Sequence, residues 1–120
     1  MMKTSLLVDD DVDLLHSVAE VLRTSGYFVL EHSNSGEALE CFRHNQNLNC
    51  ILTDIDMPGM DGISLLAEMR RIRPVAEALL MTGNFGRSEL ESTEDVLCLR
   101  KPFSSGELLQ ALEHRTNVIN

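Results

Sequence analysis

Five side chains in this sequence could do chemistry if the fold brought them together. Asp9 and Asp10 stand in "VDDD", Asp54 in "LTDID", Thr82 in "LLMTG" and Lys101 in "LRKPF". Carboxylates held close together repel unless something positive sits on them. A set of oxygen ligands with positions left for water suits a hard cation, Mg²⁺ or Mn²⁺. The Lys101 ammonium is the second positive partner. With its charge balanced in this way, a carboxylate can act as a nucleophile towards phosphorus. The cation and the ammonium remove the repulsion from the phosphoryl oxygens. Thr82 could then donate a hydrogen bond to one of those oxygens. Each residue alone could equally be a solvated loop residue; what carries weight is their convergence.

That convergence depends on the elements that position them. Short apolar runs over 5–8, 27–31, 50–53, 78–81 and 96–99 predict five strands. Between them lie helical patterns. The first covers 12–25, with Leu14, Leu15, Val18, Val21 and Leu22 on one stripe and Gly26 as its stop. The second opens at Asn34-Ser-Gly-Glu37, which has capping-box spacing. The third covers 62–73, with arginines in its last turn and Pro74 behind it. A short, weak pattern lies in 87–94. The last opens at a second capping box, Ser104-Ser-Gly-Glu107. Five βα units with apolar strands predict a doubly wound five-stranded parallel sheet covered by helices on both faces. Strand order 2-1-3-4-5 is expected, one of the two common orders. In such a sheet every strand points the same way, so Asp9-Asp10, Asp54, Thr82 and Arg100-Lys101 all fall on one edge. Ligands bind at that edge, between strands 1 and 3.

Composition narrows the function. The chain has 120 residues, 43% of them apolar, and reads as a single domain over 1–120. Its formal net charge of −9 argues against binding nucleic acid or an anionic membrane through its general field. No stretch approaches the ~20 apolar residues of a membrane span. The opening "MMKTSLLVDDD" turns acidic too early for a cleaved leader. Cys41, Cys50 and Cys98 are scattered and odd in number, which suggests buried hydrophobes in a reducing, cytoplasmic setting. His16, His32, His44 and His114 are isolated and receive no ligand role. Asp11 and Asp13 suit the N-terminal dipole of the first helix. Pro58, Gly59 and Gly62 read as loop geometry.

"SLLVDDD", "ILTDIDMPGMDG", "LLMTG" and "LRKPFSSGEL" together resemble the receiver domain of two-component response regulators, over nearly the whole chain. The resemblance implies a flavodoxin-like fold. It implies that Asp54 accepts a phosphoryl group from a phosphohistidine on a sensor histidine kinase or histidine phosphotransfer protein, and that the domain then acts on an effector domain or protein. It further implies Mg²⁺ held directly by Asp10, Asp54 and the backbone carbonyl of Asp56, with Asp9 acting through water. Lys101 is implied to pair with Asp54, and the Lys101–Pro102 bond to be cis. Such a domain catalyses only its own phosphorylation and dephosphorylation. Asp56 and Asn84 flank the site and are expected to tune the lifetime of the phosphate.

The sequence departs from the family in two places. Cys98 stands where receivers carry Tyr or Phe, so signalling is expected to run through the Thr82 backbone and the 83–95 loop, with no aromatic gate. The 83–95 segment is short, and a truncated or mobile helix is expected there. Residues 115–120 read as a frayed tail or the start of a linker. Two rival readings remain: a degenerate receiver that only docks partners, and a phosphatase of the haloacid-dehalogenase type, whose paired aspartates "DIDMPG" resembles.

Overall fold

In the computed structural model the described residues are 3–48, 50–75, 77–83 and 96–117, with 114–117 described by backbone alone. The expected 87–94 helix, Asn84 and Phe85 lie outside them.

Alternation along the strands builds the layers. In β1 (Thr4–Val8) successive side chains point to opposite faces. Leu7 joins one apolar cluster, while Leu6 and Val8 join another. β3 (Cys50–Asp54) divides the same way, with Cys50 and Leu52 on one face and Ile51 on the other. β4 (Glu77–Thr82) sends Leu79 and Met81 one way and Ala78 and Leu80 the other. With β2 (Phe28–His32) and β5 (Leu97–Arg100) they form one parallel sheet in the order β2-β1-β3-β4-β5, as expected. The first cluster is closed by α1 (Val12–Thr24) and α4 (Ser105–Asn117) through Leu15, Val18, Leu22, Leu108 and Leu112. On the opposite face α2 (Ser35–His44) supplies Ala38 and Phe42, and α3 (Gly62–Ile72) supplies Leu65 and Met69.

Local chemistry sets the helix ends. The carboxylate of Asp11 caps α1 by accepting from Leu14 N at 3.2 Å. Asn34 caps α2 by accepting from Glu37 N at 2.8 Å. At α4 the capping box closes in both directions: Glu107 N donates to Ser104 Oγ at 3.1 Å, and Ser104 N donates to Glu107 Oε1 at 2.8 Å. α1 ends in a Schellman motif. Gly26 N bonds Arg23 O and Tyr27 N bonds Leu22 O, which requires the positive φ of 96° at Gly26. α4 runs to Asn117, so the tail expected from residue 115 begins within a helix. The cysteines are free, and burial holds the Cys50 thiol at a pKa of about 11, which suits an inert apolar residue. Among the described residues no helix is long and apolar enough to cross a membrane.

Candidate functional site

Strand register delivers the acids. Val8 pairs with Thr53, and Asp54 pairs with Met81, one residue short of Thr82. The chain leaves β1 at Asp9 and β3 just after Asp54, so the two carboxylates emerge side by side. Thr82 pairs with Arg100, and Lys101 N donates to Thr82 O at 2.8 Å, which fixes Lys101 beside the same edge. The Lys101–Pro102 bond is cis, as the resemblance implies.

Asp9 and Asp54 are 1% and 4% exposed, and Thr82 is fully buried. Two buried acids need a cation, and the Lys101 ammonium bridges them. Its Nζ donates to Asp9 Oδ2 at 2.9 Å and lies 3.1 Å from Asp54 Oδ1. The lysine thus serves both acids, where the sequence reading paired it with Asp54. The other oxygen of Asp9 accepts from Asp11 N at 3.0 Å, so that carboxylate is held at both ends. Asp10 is exposed at the rim.

The electrostatics follow from this packing. Burial pushes the Asp54 carboxyl up to about 6; the charge of Asp9 adds to the rise, Lys101 opposes it, and Asp56 contributes a little more. For Lys101, burial opposes the charged form, yet the hydrogen bonds to Asp9 and Asp54 outweigh it and hold the ammonium above its ordinary range. The single ammonium leaves the cluster net negative.

A divalent ion fits what remains. Asp9, Asp10 and Asp54 each offer an oxygen, and these oxygens lie within 4.8 Å of one another. Opposite ligands of an octahedral Mg²⁺ stand about 4 Å apart, so small side-chain rotations suffice. The exposure of Asp10 leaves access for water ligands.

Thr82 makes a link of its own across the site. Its hydroxyl donates to Asp56 Oδ2 at 2.9 Å. Three further residues shape the site beyond those the sequence singles out for chemistry. Gly62, read there as loop geometry, is the first residue of α3 and packs against the backbone of Asp54. A Cβ added to it would lie 2.2 Å from Asp54 O. Asp61 caps α3 by accepting from Ser64 N at 2.8 Å, a role that "MDGIS" signals through an Asp directly before the helix. Ser35, at the start of α2, donates to Met60 O at 2.6 Å and ties down the loop between β3 and α3.

Comparison with known proteins agrees with this geometry. A family model described as the response regulator receiver domain matches residues 6–113. The response regulator receiver protein CpdR of Brucella abortus is 31% identical over 115 residues, covering 93% of this chain and 95% of that protein. A response regulator receiver protein of Anaeromyxobacter is 38% identical over 91 residues, covering 76% of this chain; the match spans only 38% of the relative's length. The crystal structure of a response regulator receiver domain protein from Clostridium thermocellum superposes with a TM-score of 0.87 at 28% identity, covering 97% of this chain and 95% of that one. The family match takes in all five chemistry-bearing residues, and no observation favours the phosphatase or the degenerate reading. A parallel sheet that gathers three aspartates, a threonine and a lysine at one edge, matched over almost its whole length, makes this chain a member of the response-regulator receiver domain family of two-component signal transduction.

Proposed function

We propose that Asp54 is the phosphoacceptor of this domain, taking a phosphoryl group from a phosphohistidine on a sensor histidine kinase or histidine phosphotransfer protein. The observation that carries this reading is the Lys101 bridge, which sets one ammonium on two buried carboxylates beside an exposed third. A carboxylate oxygen of Asp54 attacks phosphorus, the O–P bond forms, the P–N bond to the imidazole breaks, and the departing nitrogen takes a proton. Lys101 follows the charge from the carboxylate to the phosphoryl oxygens, and Thr82 donates to one of them. Hydrolysis reverses the state: water attacks phosphorus and the Asp54 carboxylate is released with inorganic phosphate.

Mg²⁺ or Mn²⁺ supplies neutralisation of the phosphoryl oxygens when bound. Asp10, Asp54 and the Asp56 backbone carbonyl are its direct ligands in this reading, and Asp9 acts through water. The domain turns over no separate substrate, works in the cytoplasm as one unit over 1–120, and signals to an effector domain or protein. The odd number and scattered spacing of Cys41, Cys50 and Cys98 support the reducing setting.

Intact-mass spectrometry after incubation with Mg²⁺ and acetyl phosphate tests the reading. Wild type gains one phosphoryl group, and Asp54→Ala gains none. Equal labelling of both proteins, or labelling that is indifferent to chelation of the metal, would overturn it.

A further inference from the structure

The Thr82 hydroxyl is already occupied in the resting protein. Thr82 is fully buried at the end of β4, and its backbone carbonyl is fixed by Lys101 N. Its Oγ1 reaches across to Asp56 Oδ2 at 2.9 Å, two residues beyond the proposed phosphoacceptor. The acceptor is a charged carboxylate, so this is a strong hydrogen bond, and it takes the only proton the threonine side chain can donate. A phosphoryl oxygen on Asp54 would need the same proton. One donor cannot serve both acceptors fully.

We propose that Asp56 is a positioning residue: its carboxylate holds the Thr82 hydroxyl in the resting state and must release it before the hydroxyl can serve a phosphoryl group on Asp54. The inference rests on the reading of Asp54 as phosphoacceptor and adds to it an internal competitor. It differs from simple charge repulsion. Repulsion by Asp56 would act whatever stands at position 82, whereas competition requires the Thr82 hydroxyl.

A double-mutant cycle separates the two. The probe is beryllofluoride with saturating Mg²⁺, a phosphoryl mimic, and the readout is its affinity. Asp56→Ala is expected to bind it about tenfold more tightly than wild type, the equivalent of one charge-assisted hydrogen bond no longer to be broken. In the Thr82→Val background the same substitution is expected to gain far less. Asp56→Asn, which keeps the shape and a weaker acceptor, gains about threefold and stands in should Asp56→Ala fail to fold. The contact has a second readout that needs no phosphoryl chemistry. In metal-free protein, urea unfolding of wild type, Asp56→Ala, Thr82→Val and the double variant should show a coupling of about tenfold in the folding equilibrium.

An equal gain in affinity with and without the Thr82 hydroxyl, or a stability cycle that closes to zero, overturns the proposal while leaving the phosphoacceptor reading intact. A wild type that neither labels at Asp54 nor binds beryllofluoride overturns that reading, and the competition falls with it.

Discussion

Gly62→Ala probes how tightly the site is built into the fold. Alanine is ordinarily welcome in the first turn of a helix, where replacing glycine gains about 0.5–1 kcal/mol. At Gly62 the new Cβ would stand 2.2 Å from Asp54 O, 2.9 Å from Asp54 C and 3.0 Å from Ile55 Cα. All three are backbone atoms, so no side chain can swing aside. Ordinary contact begins near 3.4 Å, so the Asp54 carbonyl and α3 must part by about 1.2 Å. That carbonyl also accepts from Thr53 Oγ1 at 3.0 Å, and Gly62 N donates to Ile55 O at 3.0 Å, so the movement strains two hydrogen bonds. Overpacking of this kind costs about 1–3 kcal/mol, which outweighs the propensity gain. The expected net loss is about 1–2 kcal/mol, read as a lower urea midpoint with an unchanged slope. Asp54 moves with its backbone, and a displacement near 1 Å at a reacting group costs about 100-fold, so phosphoryl labelling should slow by a similar factor. Gly36→Ala is the control. Gly36 sits in the first turn of α2, where a Cβ meets only Asn34 Oδ1 at 3.6 Å, and a small stabilisation of about 0.5 kcal/mol is expected. If Gly62→Ala is as stable as Gly36→Ala and labels at the wild-type rate, the steric reasoning is wrong.

Asp54→Asn should stabilise the metal-free protein at pH 7.5, on the order of 1–2 kcal/mol, and should lose that advantage by pH 4. The sign follows from a carboxyl raised to about 6 in the fold, above its unfolded value: its favourable contribution is complete below the unfolded value and is lost as pH rises through about 6. Urea titrations at both pH values check this, and a gain independent of pH would contradict it. Lys101→Met should push the Asp54 carboxyl above about 6, since the cation that opposes the rise is gone; carbon NMR of that carboxyl against pH measures the direction. Asp61→Ala removes the cap of α3 and should cost about 1 kcal/mol in thermal or urea unfolding. Arg73→Ala, which strips a guanidinium lying 3.7 Å over the Phe42 ring and donating to Asn45 O, should cost about 1 kcal/mol while leaving Asp54 labelling unchanged. A slower phosphorylation rate in that variant would reveal coupling that the structure does not show.

Much of this protein is written locally in its sequence. The apolar strand runs, the Asn34 cap, the Ser104–Glu107 capping box and the Gly26 stop each depend on neighbours a few residues apart, and each stands where the sequence placed it, with strand ends shifted by a residue or so. The sheet order and the shared edge followed because parallel strands joined by right-handed crossovers leave few alternatives. That suffices to bring Asp9, Asp10, Asp54, Thr82 and Lys101 to one edge. The hydrogen-bond partners and close contacts within the site belonged to the tertiary structure. Lys101 bridges Asp9 and Asp54, Thr82 gives its proton to Asp56, and Gly62 makes room for the Asp54 backbone. Each of these contacts joins groups far apart in the chain, or is decided by tenths of an ångström between backbone segments. Local propensity carries no information about such distances; only the packed sheet and helices fix them.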